Sequence, residues 1–448
     1  MRTFEKGRGK SSKFWKVELQ GLLVISVEGK VGTPGKRWNS LAKDATQAKK
    51  NYDRFIKQKL TDGYVETTPI AAPAPPMQRA LEEALAEGPD DLAAHMAYAD
   101  YLTEQGDPRG EFVRVQLALE DEKKPAAERR KLRAREKALL AKHARAWLGE
   151  DLAAFLLDGR KDDLSEAWWE VSGPRGSFSF ARGWLDNLEI DYLTEDYGFT
   201  LAHSPSARLL RRLKFDGVWW QGHPYVWMEG PSYLRNVRVL VVEGGYGIDA
   251  DEFATHLPRL EELSLTASHT FLGAVFRCRT LKHLRKLTAA AFQDENIGAL
   301  AANPAMANLT HLSLHPHAMD EEQRAASIRL EHIRALVRSR HLKSLTHLTL
   351  RLCDAGDAGC KEIVASGILK RLRVLELGPG CITDEGARTL AACPDLRHLE
   401  RLDLSRNRLT RAGIKALKQA GVEVVASDQQ QARDGEYDDS YLYEGDCE

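Results

Sequence analysis

Cysteine is scarce in this chain of 448 residues. The six cysteines all lie in the C-terminal half, and no two of them are separated by only two residues. The sequence therefore has neither a disulfide framework nor a zinc-finger spacing, a pattern that fits a reducing compartment. No run of about 18 apolar residues occurs, and the N-terminal stretch MRTFEKGRGKSSKF lacks the apolar core of a secretory signal. We therefore expect a cytoplasmic protein with no membrane partner.

An excess of charge of one sign is also missing, since 64 Lys and Arg residues balance 65 Asp and Glu residues. The charges are unevenly distributed, however. Residues 1–65 contain 15 basic and 6 acidic residues, whereas residues 428–448 contain 8 acidic residues and one Arg. Such basic and acidic segments can attract partners of opposite charge electrostatically, and salt weakens this attraction.

Catalytic motifs are absent as well. The stretch GRGKSS at 7–12 lacks the first glycine of a phosphate-binding loop, because Phe4 occupies that position. The chain contains no GxSxG, no HExxH and no EF-hand loop. The sequence therefore indicates no enzyme and no cofactor.

Internal repetition is the strongest positive feature. From about residue 185 onward, eight segments share the spacing apolar-xx-apolar-xx-apolar-x-apolar, and their last positions lie 27, 23, 24, 25, 36, 27 and 27 residues apart. Such a period is typical of stacked units that bury their apolar faces against one another. Each unit predicts a short strand followed by a helix, as in DAGCKEIVAS, TDEGARTLAAC and TRAGIKALKQA.

These units resemble leucine-rich repeats of the ribonuclease-inhibitor-like subclass. The best match is LERLDLSRNRLTRAGIKAL at 399–417, where the amide of Asn407 is expected to satisfy backbone groups in the turn between repeats. Other repeats carry Ser268, His317, Cys353 or Gly380 at this position. The resemblance implies an α/β solenoid over 185–427 with a last edge strand at 421–424. An acidic tail at 428–448 follows, and its composition favours disorder.

Residues 1–66 combine strand-like runs with a helix that starts near Asp44. They resemble a WGR domain in the segments EGKVGTPG (28–35) and KNYDRFIKQKLTDGYVE (50–66). In DNA-dependent poly(ADP-ribose) polymerases a Trp and an Arg of this family contact DNA, and Glu28 and Lys30 stand at those positions here. Trp15 and Trp38 are alternative stacking residues. The candidate nucleic-acid contacts are Lys30, Lys36, Arg37, Trp38, Lys43, Lys49 and Lys50. A solvated basic face and a protein contact remain alternatives.

Helices are predicted over residues 78–150, between a Pro/Ala linker at 67–77 and a junction at 151–184. The segments AYADYLTEQGDPRGEFVRVQLAL (97–119) and HARAWLG (143–149) resemble the repeat-companion domain that precedes leucine-rich repeats in some bacterial proteins. The resemblance implies no chemistry, and we expect a helical cap on the solenoid. The predicted fold class is therefore an α/β leucine-rich-repeat solenoid preceded by a helical domain and a small strand-rich α+β module.

The repeat alignment predicts which side chains share the exposed inner face of the solenoid. Neighbouring strands lie about 4.8 Å apart, so His311 is expected beside His347, and His315 beside Arg351. Mixed charge on this face suits a protein or peptide partner. The candidate contacts are Arg212, Lys214, Glu262, Lys286, His311, His315, His347, Arg351, Glu376, Arg401 and Asp403.

Three further hypotheses concern smaller clusters. His311 and His347 are weak candidates for a metal site with His317 or Asp320. The aromatic segment 218–230 suits either interface anchors or a hydrophobic plug, and Trp168 with Trp169 suits a core contact. The favoured interpretation is a non-enzymatic scaffold or adaptor that binds a protein through the inner face. The alternative is a nucleic-acid-binding protein that acts through residues 1–66.

Overall fold

The computed structural model describes the following residues: 2–7, 12–20, 23–33, 35–67, 75–159, 176–191, 193, 195–216, 232–243, 257–266, 272–292, 297–316, 328–351 and 353–430. The chain forms two compact units. The first unit comprises Met1–Arg211 with Tyr225–Asn236, and the second comprises Arg212–Pro224 with Val237–Glu448. Within the described ranges, no helix is long and apolar enough to cross a membrane.

An antiparallel sheet and one helix open the first unit. Their bounds are β1 Arg2–Lys6, β2 Lys13–Gln20, β3 Leu23–Lys30, β4 Lys36–Leu41, α1 Ala45–Thr61 and β5 Val65–Glu66. The strand order is β4-β3-β2-β1-β5, so β4 is an edge strand. The helix starts where the sequence indicates, and Asp44 caps it by accepting a hydrogen bond from the Gln47 backbone amide at 2.8 Å. The buried core consists of Phe4, Trp15, Val17, Val24, Ile56 and Tyr64.

The predicted helices of the first unit are present. They are α2 Pro76–Glu87, α3 Leu92–Glu104, α4 Pro108–Glu120, α5 Ala126–Leu148 and α6 Glu150–Leu156. Asp107 caps α4 through a 2.8 Å bond from the Arg109 amide, and Pro108 occupies the first helical position. Gly106 follows the end of α3 with a φ of 73°, a conformation that costs glycine little.

Side chains of α4 anchor an antiparallel hairpin. Its strands are β6 Ser177–Ala181 and β7 Trp184–Ile190, followed by α7 Glu195–Ala202. The Gln116 amide nitrogen donates to the Phe180 carbonyl at 2.8 Å, and its oxygen accepts from the Gly183 amide at 2.7 Å. The Arg109 Nε donates to the Gly183 carbonyl at 2.8 Å. This turn is therefore fixed by polar groups that would otherwise be unsatisfied.

Within the described residues, the second unit contains nine parallel strands. They are β8 Arg212–Asp216, β9 Val239–Glu243, β10 Glu262–Thr266, β11 Lys286–Phe292, β12 His311–Pro316, β13 His347–Leu350, β14 Val374–Glu376, β15 Arg401–Asp403 and β16 Glu423–Val425. Each strand pairs in parallel with the next. The eight predicted strands and the predicted edge strand are thus confirmed.

Helices follow the strands, as the repeat pattern predicts. Their bounds are α8 Leu272–Arg277, α9 Ile297–Ala302, α10 Leu330–Val337, α11 Gly356–Ser366, α12 Asp384–Ala391 and α13 Arg411–Gln419. Successive helices from α8 to α13 pack side by side. The unit therefore has the layered strand-and-helix construction of a repeat solenoid.

Buried strand residues, here called the leucine spine, form one side of the sheet. The spine comprises Leu213, Leu240, Leu263, Leu287, Leu312, Leu348, Leu375 and Leu402. Register is continuous along it, because each of these residues pairs with its counterpart on the next strand. Since side chains alternate along a strand, the residues that flank each leucine point to the opposite side of the sheet.

Asn407 has the predicted role in the turn between repeats. This fully buried amide donates to the carbonyls of Leu377 at 2.7 Å and Leu404 at 3.1 Å. Its oxygen accepts from the Ile382 amide at 2.9 Å. One side chain therefore joins two successive repeats by satisfying their backbone groups.

Candidate functional site

The sheet of the second unit presents two columns of flanking side chains, here called the open face. The first column is Arg212, Val239, Glu262, Lys286, His311, His347, Val374 and Arg401. The second column is Lys214, Val241, Ser264, Thr288, Ser313, Thr349, Glu376 and Asp403. Adjacent members of each column are register partners. The expected order of the candidate protein contacts is therefore present in the structure.

Ion pairs lie on both sides of the centre of the open face. Lys286 Nζ lies 2.7 Å from Glu262 Oε1, and Lys214 Nζ lies 2.6 Å from Glu243 Oε2. At the other end, Arg401 lies 2.7 Å from Asp403 and 3.6 Å from Glu376. These pairs are partly exposed, so they orient side chains more than they stabilise the fold.

Two stacked histidines lie in the middle of the face. The rings of His311 and His347 have centroids 3.8 Å apart and planes inclined by 14°. The stack follows directly from the register, because the two residues are partners on β12 and β13. Two parallel imidazoles in contact favour neutral rings, since two positive charges at this distance would repel each other.

Threonines orient both rings. The hydroxyls of Thr310 and Thr346 each lie 2.9 Å from Nδ1 of the following histidine. Thr310 donates its hydroxyl hydrogen to the Arg285 carbonyl at 3.0 Å, and Thr346 donates to the Thr310 carbonyl at 3.2 Å. Each hydroxyl oxygen is then left to accept from Nδ1–H. This arrangement favours the tautomer in which Nε2 carries a lone pair.

Electrostatics also favour neutral rings. Burial, His347 and the Lys286 ammonium together lower the pKa of His311 below its usual value. Burial and the Arg373 guanidinium lower the pKa of His347. Among the described residues neither Nε2 has a hydrogen-bond partner. The pair is therefore an acceptor site at neutral pH, rather than a cationic patch.

Sequence reasoning identified the histidines but missed the threonines. The signal was available, because LTHLSL at 309–314 and LTHLTL at 345–350 repeat the Thr-His dipeptide at matching strand positions. The Arg351 amide donates to the Leu314 carbonyl at 2.9 Å, which brings Arg351 next to His315. His315 and Arg351 therefore lie next to each other, four residues beyond His311 and His347 along the chain.

A metal site is not assembled around this pair by the described residues. No group of three or more His, Cys, Asp or Glu side chains that could hold a metal ion occurs in the part of the chain that the structure describes. The other proposed ligands, His317 and Asp320, lie outside the described residues. The same holds for the aromatic segment 218–230 and for Trp168 and Trp169.

The candidate nucleic-acid contacts of the N-terminal domain differ in their exposure and in their partners. Trp38 on the edge strand β4 is 57% exposed, and Lys36 Nζ lies 4.9 Å from the centroid of its ring. Lys49 pairs with Asp53 at 2.7 Å on α1. Lys30, Lys43 and Lys50 are exposed, and the side chain of Arg37 lies outside the described set.

Trp15 is excluded as a replacement stacking residue. It is 3% exposed and packs against Phe4 in the core, with ring centroids 5.2 Å apart. The alternation of apolar residues on β2 carries Trp15 to the face that α1 covers. Trp38 is therefore the one of the two tryptophans that is available to a ligand.

Glu28, which the resemblance places at the family's Trp position, is partly buried against α1. Its carboxylate accepts hydrogen bonds from Lys59 Nζ at 2.6 Å and from the Tyr64 hydroxyl at 2.8 Å. Burial acts to raise the pKa of Glu28, but the bonds from Lys59 and Tyr64 outweigh it and keep the pKa below its usual value. The negative charge is thus compensated by α1.

Family models match both ends of the chain. Residues 1–70 match the model described as WGR domain, and residues 395–418 match the model described as Leucine Rich repeat. The chain therefore carries an N-terminal WGR domain and leucine-rich repeats, and both resemblances are confirmed. The resemblance of residues 78–150 to a repeat-companion domain stays a prediction. No curated protein matches the chain in sequence.

Several solved structures are similar to this chain. A protein from Bacteroides fragilis has 17% identity and a TM-score of 0.38, with 96% of this chain and 97% of that chain covered. An internalin, InlF from Listeria monocytogenes, has 18% identity and a TM-score of 0.34 over 52% of this chain and 58% of that chain. The Toll–Spätzle complex from Drosophila has 14% identity and a TM-score of 0.30 over 55% of this chain and 36% of that chain.

Proposed function

We propose that this protein is a non-enzymatic modular interaction protein that binds a protein partner through the open face of its leucine-rich repeats. The observation that carries the proposal is the continuous register of the two columns over β8–β15. A sheet held in register fixes its side chains before a partner arrives, so few side chains lose freedom on binding. Repeat solenoids use such extended surfaces for binding.

The chemistry of the face supports a polypeptide partner. The two columns together carry charges of both signs and the neutral histidine pair. The charged residues are Arg212, Lys214, Lys286 and Arg401 with Glu262, Glu376 and Asp403. A polyanion would favour a surface of one sign, whereas a protein partner can match mixed charges and gain specificity. The stacked histidines add an acceptor site for N–H or O–H donors of the partner.

Capture with matched variants tests this proposal. Full-length protein is immobilised and exposed to a native lysate, and the bound proteins are quantified by mass spectrometry. The open-face variant reverses three charges: Arg212→Glu, Glu262→Lys and Arg401→Glu. The control reverses three exposed charges outside the strands with the same change of net charge: Lys282→Glu, Glu331→Lys and Arg397→Glu.

We expect the open-face variant to lose a specific partner by at least about tenfold, because like charges placed opposite one another in an interface cost several kcal/mol. The control variant should retain the partner. Equal capture by the wild type and the open-face variant would overturn the assignment of this face.

A second candidate function is nucleic-acid binding by the WGR domain. The exposed Trp38 with Lys36 over its ring favours it, because a base can stack on the indole while the ammonium meets a phosphate. Compensation of Glu28 by Lys59 removes one source of repulsion.

Fluorescence anisotropy with labelled single-stranded and duplex DNA tests the second candidate in the full-length protein. Trp38→Ala should weaken binding by about tenfold or more, since stacking on an aromatic ring contributes about 1–3 kcal/mol per base. Lys57→Glu, an exposed change on α1, serves as the control. Absence of binding at low salt, or equal binding by Trp38→Ala, would remove this candidate.

A further inference from the structure

Aspartates connect the helices of the last three repeats. Asp357 accepts hydrogen bonds from the Thr383 amide at 2.9 Å and the Thr383 hydroxyl at 2.6 Å. Asp384 accepts the same two bonds from Thr410, at 2.9 Å and 2.6 Å. In each case the aspartate of one helix holds the N-cap threonine of the next.

Arg411 ends this series with a charge of the opposite sign. Asp357, Asp384 and Arg411 follow one another at intervals of 27 residues, and each lies at the start of its helix. Where the two preceding repeats present a carboxylate to the next element, the last repeat presents a guanidinium. An element that packs against this end of the solenoid would therefore match it with an acidic group.

A basic surface continues from Arg411 along α13. Lys415 and Lys418 lie four and seven residues further on, so the three side chains share one face of the helix, with the half-buried Ile414 between them. All three are exposed, and none has a carboxylate partner among the described residues. We call Arg411, Ile414, Lys415 and Lys418 the terminal basic face.

Three basic residues on or next to the preceding helices pair across to a neighbouring helix. Glu362 on α11 lies 2.8 Å from Arg334 of α10 and 2.9 Å from Arg338, the residue that follows α10. Lys361 on α11 lies 2.7 Å from Glu385 on α12. If the pairing between successive helices continued, acidic groups of an element that packs beside α13 would pair with the terminal basic face.

The chain itself supplies such a segment. The last described residues run beside the start of α13, because Gln429 accepts from the Leu409 amide at 2.8 Å and the Gln430 amide donates to the Asn407 carbonyl at 2.7 Å. Residues 431–448 lie outside the described set. Their sequence contains seven acidic residues and one Arg, together with three tyrosines and a leucine.

We propose that the acidic segment 431–448 binds the terminal basic face and acts as the cap of the solenoid. Carboxylates of the segment pair with Arg411, Lys415 and Lys418, and its aromatic residues cover Ile414. The segment is long enough to cover this face, since 18 residues extend up to about 60 Å and α13 is only about 14 Å long. Exposed ion pairs are individually weak, but tethering gives the segment an effective concentration in the millimolar range.

A full-length variant with a neutral tail makes the proposal testable. In this variant the seven acidic residues of 431–448 are replaced by Asn or Gln, so that chain length is unchanged. A fluorescent peptide with the native sequence of 431–448 is the probe, and its anisotropy is followed during titration with each protein at low and high salt.

We expect the neutral-tail protein to bind the peptide and the wild type to bind it at least tenfold more weakly, because its own segment occupies the face. Adding Arg411→Glu with Lys415→Glu to the neutral-tail protein should abolish binding. Arg411→Gln with Lys415→Gln should reduce it while preserving the helix. The matched control is Arg133→Glu with Lys137→Glu, two exposed residues with the same spacing on α5, and it should bind the peptide as the neutral-tail protein does.

Three results would overturn the proposal. The first is no binding of the peptide to the neutral-tail protein at low salt. The second is equal binding to the wild type and the neutral-tail protein. The third is binding that survives the Arg411 and Lys415 changes, which would assign the peptide to another surface.

Discussion

At the scale of single residues, the clearest feature is a histidine pair whose chemistry is set by its neighbours. His311 and His347 stack because strand register makes them partners, and Thr310 and Thr346 bind their Nδ1 atoms. The result is a pair of neutral rings with Nε2 available as an acceptor. A function that uses this pair must therefore depend on pH.

Stability should reveal the same pH dependence. The pKa values of both histidines lie below the usual value of about 6.5, so the folded state favours the neutral rings. Stability is then fully present above the usual pKa and falls as the pH decreases through it towards the folded-state pKa. We expect the free energy of unfolding to fall more between about pH 7.5 and about pH 5 in the wild type than in the double variant His311→Asn, His347→Asn.

Urea unfolding of the full-length protein at a series of pH values measures this difference. His398→Asn, a change at an exposed histidine, is the control and should follow the wild type. If the double variant lost as much stability as the wild type over this range, the neutral pair would be contradicted.

A second residue-scale prediction concerns Asn407. Replacing this buried amide by Ala leaves the Ile382 amide without its acceptor, removes the donor to the Leu377 carbonyl and leaves the Leu404 carbonyl with only the bond from Gln429. We expect Asn407→Ala to cost about 3 kcal/mol of unfolding free energy. Asn308→Ala removes a single bond to the Lys282 carbonyl at an exposed site and should cost less than about 1 kcal/mol. Equal losses in denaturant unfolding would show that the bonds of Asn407 do not join the repeats.

At the scale of elements, glycines determine how closely neighbouring helices approach. A Cβ atom at Gly386 of α12 would lie 2.5 Å from Asp357 Oδ1 and 2.9 Å from Ile382 Cγ2, whereas a Cβ atom at Gly298 of α9 would meet nothing within 4 Å. The absence of a side chain at Gly386 therefore permits the hydrogen bonds between Asp357 and Thr383.

This contrast predicts opposite effects for the same substitution. Gly386→Ala should lower the free energy of unfolding by about 2 kcal/mol, because it separates α11 from α12. Gly298→Ala should be neutral or stabilising by up to about 1 kcal/mol, since Ala favours a helix more than Gly does. Circular dichroism during thermal unfolding compares the two, and a gain of stability in Gly386→Ala would contradict the packing described here.

Elements differ in how well the sequence predicted them. The strands of the repeats were predictable because leucine spacing fixes both their positions and their register, as for Leu348 and Leu375. The edge strand β4 was not, because Lys36–Leu41 is mostly polar and shows no apolar alternation. The pairing of Glu28 also escaped prediction, since it depends on Lys59 and Tyr64, which are 31 and 36 residues away in the chain.

At the scale of the whole molecule, the leucine spine supports the open face. Leu348 is fully buried, whereas Val374, the register partner of His347 on the open face, is partly exposed. Leu348→Ala should therefore cost about 3 kcal/mol through the cavity it leaves, and Val374→Ala less than about 1 kcal/mol. Denaturant unfolding measures both. Similar losses of unfolding free energy would contradict the assignment of Leu348 to the buried side of the sheet and Val374 to the exposed side.

The chain combines a WGR domain with leucine-rich repeats, and each offers its own candidate contact. Trp38 marks the first and the histidine pair marks the second. The central claim is that the open face, and not the WGR domain, binds the protein partner.

Hydrogen–deuterium exchange of the full-length protein, alone and with the partner captured by the wild type, tests that claim most directly. We predict slower exchange on binding in the peptides that cover β10–β15, centred on His311 and His347, with residues 1–66 unchanged. Protection confined to residues 1–66 or to the helices, with the strands of the open face unaffected, would contradict the account.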